Sequence, residues 1–176
     1  VAPMYVAGHP SFTLVLILLV GGYLMAGGAN AVNMYLDSDI DEHMARTRLR
    51  PIPSGRMHPK EVLVFGLFLA TAATFLLARY ANVLTAALAL AGFYAYILVY
   101  TRWLKRSTPQ NIVIGGAAGA IPPLVGWAAV TNGIDLMAAY LFLIIFYWTP
   151  PHFGALAHNK QHDYGRAGVP MAPLVW

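Results

Sequence analysis

The sequence contains no cysteine and very few charged side chains. Without cysteine the chain can form neither a disulfide bond nor a thiolate metal site. Only 10% of its 176 residues are Asp, Glu, Lys or Arg, whereas soluble domains carry about 25%. Because 59% of the residues are hydrophobic, this deficit of charge excludes an ordinary soluble domain. It predicts an integral membrane protein.

The charge that is present is mainly basic, with 11 Lys and Arg against 7 Asp and Glu. In a soluble protein this excess would suggest nucleic acid, but here membrane topology explains it better, and we predict no nucleic-acid partner. If five spans alternate across the bilayer, ten of the 11 basic residues lie on one side. The positive-inside rule makes that side cytoplasmic. We expect a multi-pass protein of the cell inner (plasma) membrane, and favour the mitochondrial inner membrane less.

Long apolar runs predict an all-α, polytopic transmembrane helical bundle. The predicted spans are residues 12–35, 62–78, 83–100, 111–130 and 136–149. We expect Pro122-Pro123 to kink or break the fourth span and Pro150-Pro151 to end the fifth. The spacing of Gly115 and Gly119 predicts close helix packing. Since the sequence starts without Met and stops inside an apolar run, we expect residues 1–176 to be a partial single domain.

A polar stretch, residues 33–51, interrupts this apolar background and holds four of the seven acids. Asn33, Asp37 and Asp41 recur every four residues, which places them on one face of a helix, while Asp39 points nearly the opposite way. Two carboxylates and an amide oxygen suit Mg²⁺, which completes its octahedron with water and phosphate oxygens. The alternative is a solvated loop at the membrane surface. The position of Asn33 inside the first predicted span argues against this alternative, because intramembrane polar residues are usually functional.

Basic residues follow the acids closely. Arg46 and Arg50 share a face with one another, and guanidinium groups bind phosphate oxygens in pairs. Lys105 lies in a neighbouring loop predicted on the same membrane face. A metal face followed by guanidinium groups is the combination that a diphosphate requires. The alternative is that these residues only set the topology.

These residues carry a family resemblance. Asn33-x-x-x-Asp37-x-x-x-Asp41, followed by Met44-Ala45-Arg46-Thr47 and Arg50-Pro51, resembles the UbiA superfamily of intramembrane prenyltransferases. Further motifs resemble its haem-farnesylating branch: Tyr100-Thr101-x-x-Leu104-Lys105-Arg106-x-Thr108-Pro109-Gln110-Asn111-Ile112-Val113-Ile114-Gly115-Gly116, Pro122-Pro123-Leu124-x-Gly126-Trp127, Trp148-Thr149-Pro150-Pro151-His152-Phe153 and Asp163-Tyr164-x-x-Ala167-Gly168-Val169-Pro170-Met171.

The resemblance implies nine transmembrane helices around a central cavity, of which this chain would hold the second to the sixth. It implies that Asn33, Asp37 and Asp41 form the first acidic motif and bind a prenyl diphosphate through Mg²⁺. The second motif maps onto Asp163, a further expected metal ligand, although the superfamily often has two spaced acids there. Lys160 beside it is a candidate phosphate contact.

The resemblance also implies the reaction. Farnesyl diphosphate would donate its farnesyl group to a vinyl carbon of haem b, giving haem O, and a haem A synthase or an oxidase assembly protein is a possible partner. Asp37, Asp41, Arg46 and Arg50 would carry the catalysis. His152 is the candidate for positioning haem, through its iron or a propionate, and a merely solvated interfacial histidine is the alternative.

Aromatic residues within the spans are candidate walls for the two substrates, although an interfacial belt or plain packing is the alternative role. They are Tyr35, Tyr96, Tyr100, Trp127 and Trp148. Two other functions stay open. One is a UbiA-type enzyme that prenylates an aromatic quinone precursor. The other is a cation transporter, which the absence of an internal repeat and the nearby arginines disfavour.

Overall fold

The structure, a computed structural model, describes residues 1–158 of the chain and side chains as far as residue 155. All regular elements among these residues are helices. They are α1 (Ala2–Ala7), α2 (Phe12–Leu36), α3 (Ser38–Asp41), α4 (Pro59–Tyr80), α5 (Val83–Tyr94), a π-helical segment (Ala95–Leu104), α6 (Lys105–Ser107), α7 (Asn111–Thr131) and α8 (Leu136–His158).

Five of these helical stretches are long and apolar enough to cross a membrane. They are Phe12–Leu36, Pro59–Tyr80, Val83–Ser107, Asn111–Thr131 and Leu136–Ala155. The prediction of a polytopic helical bundle with five spans is therefore confirmed. The protein is a multi-pass membrane protein.

Helices α2 and α4 make the most intimate contact of the bundle. Ser11 caps the start of α2, where its hydroxyl accepts a hydrogen bond from the Leu14 amide. Further along, a Cβ atom added to Gly28 would lie 2.7 Å from the carbonyl oxygen of Gly66. The two backbones touch at this point, because only glycine leaves room for such an approach.

The structure corrects the prediction that Pro150-Pro151 ends the fifth span, and it excludes a break at Pro122-Pro123 in the fourth. Helix α7 continues through Pro122 and Pro123, and α8 continues through Pro150 and Pro151 as far as His158. A proline pair removes two backbone donors, but a broken segment would expose many more groups to lipid. Continuing the helix therefore leaves the fewest backbone groups without partners.

A second correction concerns the glycines of α7. Gly115 packs against the ring of Tyr100, and a Cβ atom on Gly116 would lie 3.0 Å from Thr149. Gly119 has no atom within 4 Å of such a Cβ. The packing glycines are therefore Gly115 and Gly116, and Gly119 faces open space.

The third span is longer than predicted and changes its helical type. It runs to Ser107, and its last part, Ala95–Leu104, is π-helical. A π-helix widens the turn and redirects the side chains that follow, and such segments are frequent at functional sites. Here the segment brings Thr101 and then Lys105 to the end of α2.

Candidate active site

The predicted metal face lies at the end of α2 and continues into α3. Asn33, Asp37 and Asp41 are 6%, 0% and 2% exposed, whereas the side chain of Asp39 is 63% exposed. The Asp37 amide bonds to the Asn33 carbonyl at 2.9 Å, and the Asp41 amide to the Asp37 carbonyl at 2.8 Å. The four-residue period therefore persists across the junction, and Asp39 points to the opposite side.

Asp37 is held by one residue of the helix that it follows, α2, and by one from the start of α6. Its Oδ2 accepts hydrogen bonds from Lys105 Nζ at 2.5 Å and from Asn33 Nδ2 at 2.8 Å. Within the part of the chain that the structure describes, no donor bonds to its Oδ1, and the nearest guanidinium, of Arg106, lies 3.6 Å away. Asp37 Oδ1 is thus buried and lies in an ion pair with Arg106, without a hydrogen bond.

Thr101 belongs to the site, although no role in the site was predicted for it from the sequence. It is fully buried in the π-helical segment, and its hydroxyl accepts a second hydrogen bond from Asn33 Nδ2 at 3.2 Å. The available signal was a polar side chain that follows a long apolar run. Its importance depends on a contact with a residue 68 positions away.

The loop after α3 folds back and places Arg50 beside Asp41. Arg50 Nη1 donates to Asp41 Oδ2 at 2.7 Å, and the buried hydroxyl of Thr47 donates to the Asp41 carbonyl at 3.1 Å. The guanidinium of Arg50 remains partly accessible, with 30% of its side chain exposed. Asp41 is therefore paired with Arg50, whereas Asp37 is paired with Lys105 and, at 3.6 Å, with Arg106.

Arg106 forms a separate clamp on the outer side of the same junction. It donates to both oxygens of Asp39 and to the Leu36 carbonyl, all at 2.8 Å. The Arg106 guanidinium lowers the pKa of the Asp39 carboxyl below its ordinary value of 3.8. This clamp satisfies a carbonyl at the end of α2 and pairs Asp39 with an arginine on the side away from Asp37 and Asp41.

Two apolar cavities, both partly open to the surroundings, are lined by helices of the described part of the chain. One, of about 340 Å³, lies between the π-helical segment, α7 and α8, and the other, of about 640 Å³, lies between α2, α5 and α7. Tyr96 and Gly119 line both. The smaller cavity is also lined by Tyr100, the residue before Thr101, and the larger by Asn30, which precedes Asn33 by three residues. Each cavity is therefore lined by a residue one helical turn or less from the charged site.

The aromatic candidates divide into two groups. Tyr96 and Tyr100 stack with ring centroids 5.7 Å apart, and together with Trp148 they line the smaller cavity. His152 is exposed and stacks on Trp148 with ring centroids 4.2 Å apart. Trp127 is instead buried in α7.

The structure says less about the other predicted site residues. Arg46 is exposed in the loop after α3, within electrostatic range of Tyr96. Lys160 and Asp163 lie outside the described residues. Over those that are described, no group of three or more His, Cys, Asp or Glu side chains could hold a metal ion. The donors at hand are the two buried carboxylates.

Comparisons with known proteins match the chain over its full length. The UbiA prenyltransferase family matches residues 1–176. Proteins named protoheme IX farnesyltransferase are similar: that of Roseiflexus castenholzii is 55% identical over 99% of this chain and 33% of its own length. That of Chloroflexus aurantiacus is 58% identical over 96% and 29%, and that of Symbiobacterium thermophilum is 56% identical over 99% and 59%. The chain thus spans less than two thirds of these relatives' lengths. No solved structure matches it.

Proposed function

Since the chain belongs to the UbiA prenyltransferase family, we propose that it carries out the reaction named for its relatives. A farnesyl group passes from farnesyl diphosphate to a vinyl group of haem b, and haem O is formed. The observation that carries this proposal is the pairing of Asp37 with Lys105 and of Asp41 with Arg50, at one end of helical stretches whose neighbouring residues Asn30 and Tyr100 line two apolar cavities. Such a junction suits a substrate with an anionic head and an apolar chain.

The buried carboxylates fit Mg²⁺. Asp37 Oδ1 is buried with no hydrogen-bond donor among the described side chains, and both acids present hard oxygen atoms. Two protein carboxylates are too few for an all-protein cage but suffice for Mg²⁺ shared with a diphosphate. We propose that Asp37 and Asp41 hold the metal and that Asn33 orients Asp37. Ligation by Asn33 itself, or by Asp163, stays a prediction.

The basic residues supply the anion-binding half of the site. Lys105 and Arg50 pair with the two carboxylates in the structure; if Asp37 and Asp41 held Mg²⁺, these two basic side chains would be available to bind the diphosphate. The exposed Arg46 is the third cation, and Lys160 stays a candidate. When bound, Mg²⁺ stabilises the negative charge that the leaving diphosphate gains.

The reaction then proceeds in an apolar surrounding. The bond between the first farnesyl carbon and the diphosphate oxygen breaks, and the diphosphate keeps the electron pair. The haem vinyl carbon bonds to the allylic cation, water adds to the new cation, and one proton is released. The cavity walls keep water from the first cation, which would otherwise be quenched too early.

Haem is expected beside α8. His152 lies over Trp148, one wall of the smaller cavity. We propose that His152 contacts haem there, through its iron or a propionate. We also propose a cytoplasmic active face in the inner membrane, and a haem A synthase or oxidase assembly protein as the recipient of haem O.

A substrate assay tests the proposal. Membranes that contain the protein are supplied with Mg²⁺, farnesyl diphosphate and haem b, and products are identified by mass spectrometry. We expect haem O, and none from membranes that carry Asp37→Asn. Prenylated 4-hydroxybenzoate without haem O would favour the quinone-precursor alternative. Magnesium-independent cation flux without any prenylated product would favour a transporter.

A further inference from the structure

The two cavities differ in the chemistry of their walls. Aromatic rings and glycines line the smaller cavity, with Tyr100, Trp148 and Phe153 beside Gly115 and Gly116. Flat walls of this kind suit a planar ring system. Aliphatic side chains dominate the larger cavity, including Leu18, Met25, Leu77 and Val125. Such walls suit a flexible hydrocarbon chain.

Tyr96 and Gly119 line both cavities, and we call the boundary that these two residues form between the cavities the neck. The absence of a side chain at Gly119 keeps the neck open, because a Cβ atom there would project into empty space. On the charged side, Tyr100 lines the smaller cavity next to Thr101, which accepts a hydrogen bond from Asn33, and Asn30 lines the larger cavity one turn before Asn33. The neck is therefore the point where a diphosphate head, an apolar chain and a planar acceptor can come together.

Building on the proposed function, we propose a separate place for each apolar substrate. The larger cavity holds the farnesyl chain, the smaller cavity holds the vinyl-bearing edge of haem, and the new bond forms at the neck between Tyr96 and Gly119. Gly119 keeps this passage open. Ala26 and Gly22, which line the larger cavity from α2, determine how long a prenyl chain fits.

The positions of Ala26 and Gly22 along α2 support their proposed role in limiting the length of the prenyl chain. Ala26 precedes Asp37 by 11 residues and Gly22 by 15, which places them about 16 Å and 22 Å below the carboxylate at the helical rise. An extended isoprene unit spans about 5 Å, given carbon–carbon bonds of about 1.5 Å. With a diphosphate between the carboxylates and the first carbon, Ala26 lies beside the last farnesyl unit, and Gly22 lies beyond it.

Chain-length selectivity tests the larger cavity. Membranes with Ala26→Leu or Gly22→Leu are assayed with geranyl, farnesyl and geranylgeranyl diphosphate, and Val20→Leu, on an exposed face of α2, is the matched control. We expect Ala26→Leu to lower kcat/KM for farnesyl relative to geranyl diphosphate by at least about tenfold. Gly22→Leu lowers only geranylgeranyl transfer. Equal loss for all chain lengths, or no shift, would overturn the assignment.

A substitution in the smaller cavity tests the proposed place of haem. Ile145 lines it and does not line the larger one, so Ile145→Phe is expected to raise KM for haem about tenfold and to leave KM for farnesyl diphosphate unchanged. Gly119→Leu, at the neck, lowers kcat with every prenyl donor. An Ile145→Phe variant that raised KM only for the prenyl donor would reverse the two places.

Photolabelling tests the place of the prenyl chain independently of the proposed reaction. A farnesyl diphosphate analogue with a diazirine on its last isoprene unit is bound without haem, and the labelled peptide is sequenced. Label within residues 18–30 of α2 supports the chain's place even if haem proves not to be the acceptor. Label at residues 145–153 of α8 would overturn it even if haem O is formed.

Discussion

Lys105 Nζ and Asp37 Oδ2 form a 2.5 Å ion pair between two residues 68 positions apart in the sequence. The pair joins the end of α2 to the start of α6 and closes the deepest part of the site. Asp37 is fully buried and only 13% of the Lys105 side chain is exposed. Solvent screening of this pair is therefore weak.

Replacement of Lys105 by Met should impair the reaction more than binding of the apolar chain. We expect kcat to fall about 100-fold, because one preorganised positive charge at a developing anion has about that effect. Lys105→Arg should restore part of the activity. Arg102→Met, which removes an exposed positive charge on the same membrane face, is the control, and an equal loss there would argue for a general charge effect.

Removal of the metal should stop turnover. We expect a chelator to abolish prenyl transfer and added Mg²⁺ to restore it, because the buried Oδ1 of Asp37, which accepts no hydrogen bond, would again bind the metal. In Asp37→Asn we expect neither activity nor Mn²⁺ binding, with the metal followed by electron paramagnetic resonance. Full Mn²⁺ binding by this variant would contradict the metal role of Asp37.

Thr101→Val tests the support of Asn33. The change keeps the shape of the side chain but leaves an Asn33 N–H without its acceptor, at a cost of about 1–3 kcal/mol in the free energy of unfolding. We expect a lower Tm in detergent and a KM for farnesyl diphosphate raised about tenfold, since Asn33 no longer holds Asp37 firmly. Thr101→Ser, which keeps the hydroxyl, should behave like the parent protein. A raised KM in Thr101→Ser as well would refute the hydrogen-bond explanation.

The Asp39–Arg106 clamp should lose its effect only in acid. Because Arg106 lowers the pKa of Asp39 in the folded protein, the clamp stabilises the fold at pH values above 3.8, the ordinary value. This stabilisation decreases as the pH falls through the lower, folded pKa. The Tm difference between the protein and Asp39→Asn should therefore be constant from about pH 7 to pH 5 and shrink in stronger acid. Since Asp39 is largely exposed, the difference should be small and the activity retained.

Gly28→Ala should destabilise the bundle, because the added methyl group would lie 2.7 Å from the Gly66 carbonyl oxygen. We expect a cost of about 1–3 kcal/mol in the free energy of unfolding. Gly22→Ala is the matched control on the same helix, since a methyl group there meets no atom within 4 Å. Thermal unfolding in detergent compares the two, and equal Tm values would show that α2 and α4 can separate without cost.

Much of the fold and part of the site were predictable from local patterns. Apolar runs indicate spans because each helix must satisfy its own backbone in lipid, and the four-residue spacing of Asn33, Asp37 and Asp41 holds in the structure. The opposite direction of Asp39 follows from the same period. The prediction that Pro150-Pro151 ends the fifth span was wrong, since proline behaves differently where lipid replaces water.

The sequence by itself determined that the protein is a membrane helical bundle with one polar face, because composition and periodicity act over a few turns of helix. Only the tertiary structure decided which partners these acids have. It set Lys105 against Asp37, Thr101 against Asn33 and Arg50 against Asp41. The π-helical segment that delivers Thr101 and Lys105, and the neck beside Gly119, arise from packing between helices distant in sequence. No local pattern encodes such contacts.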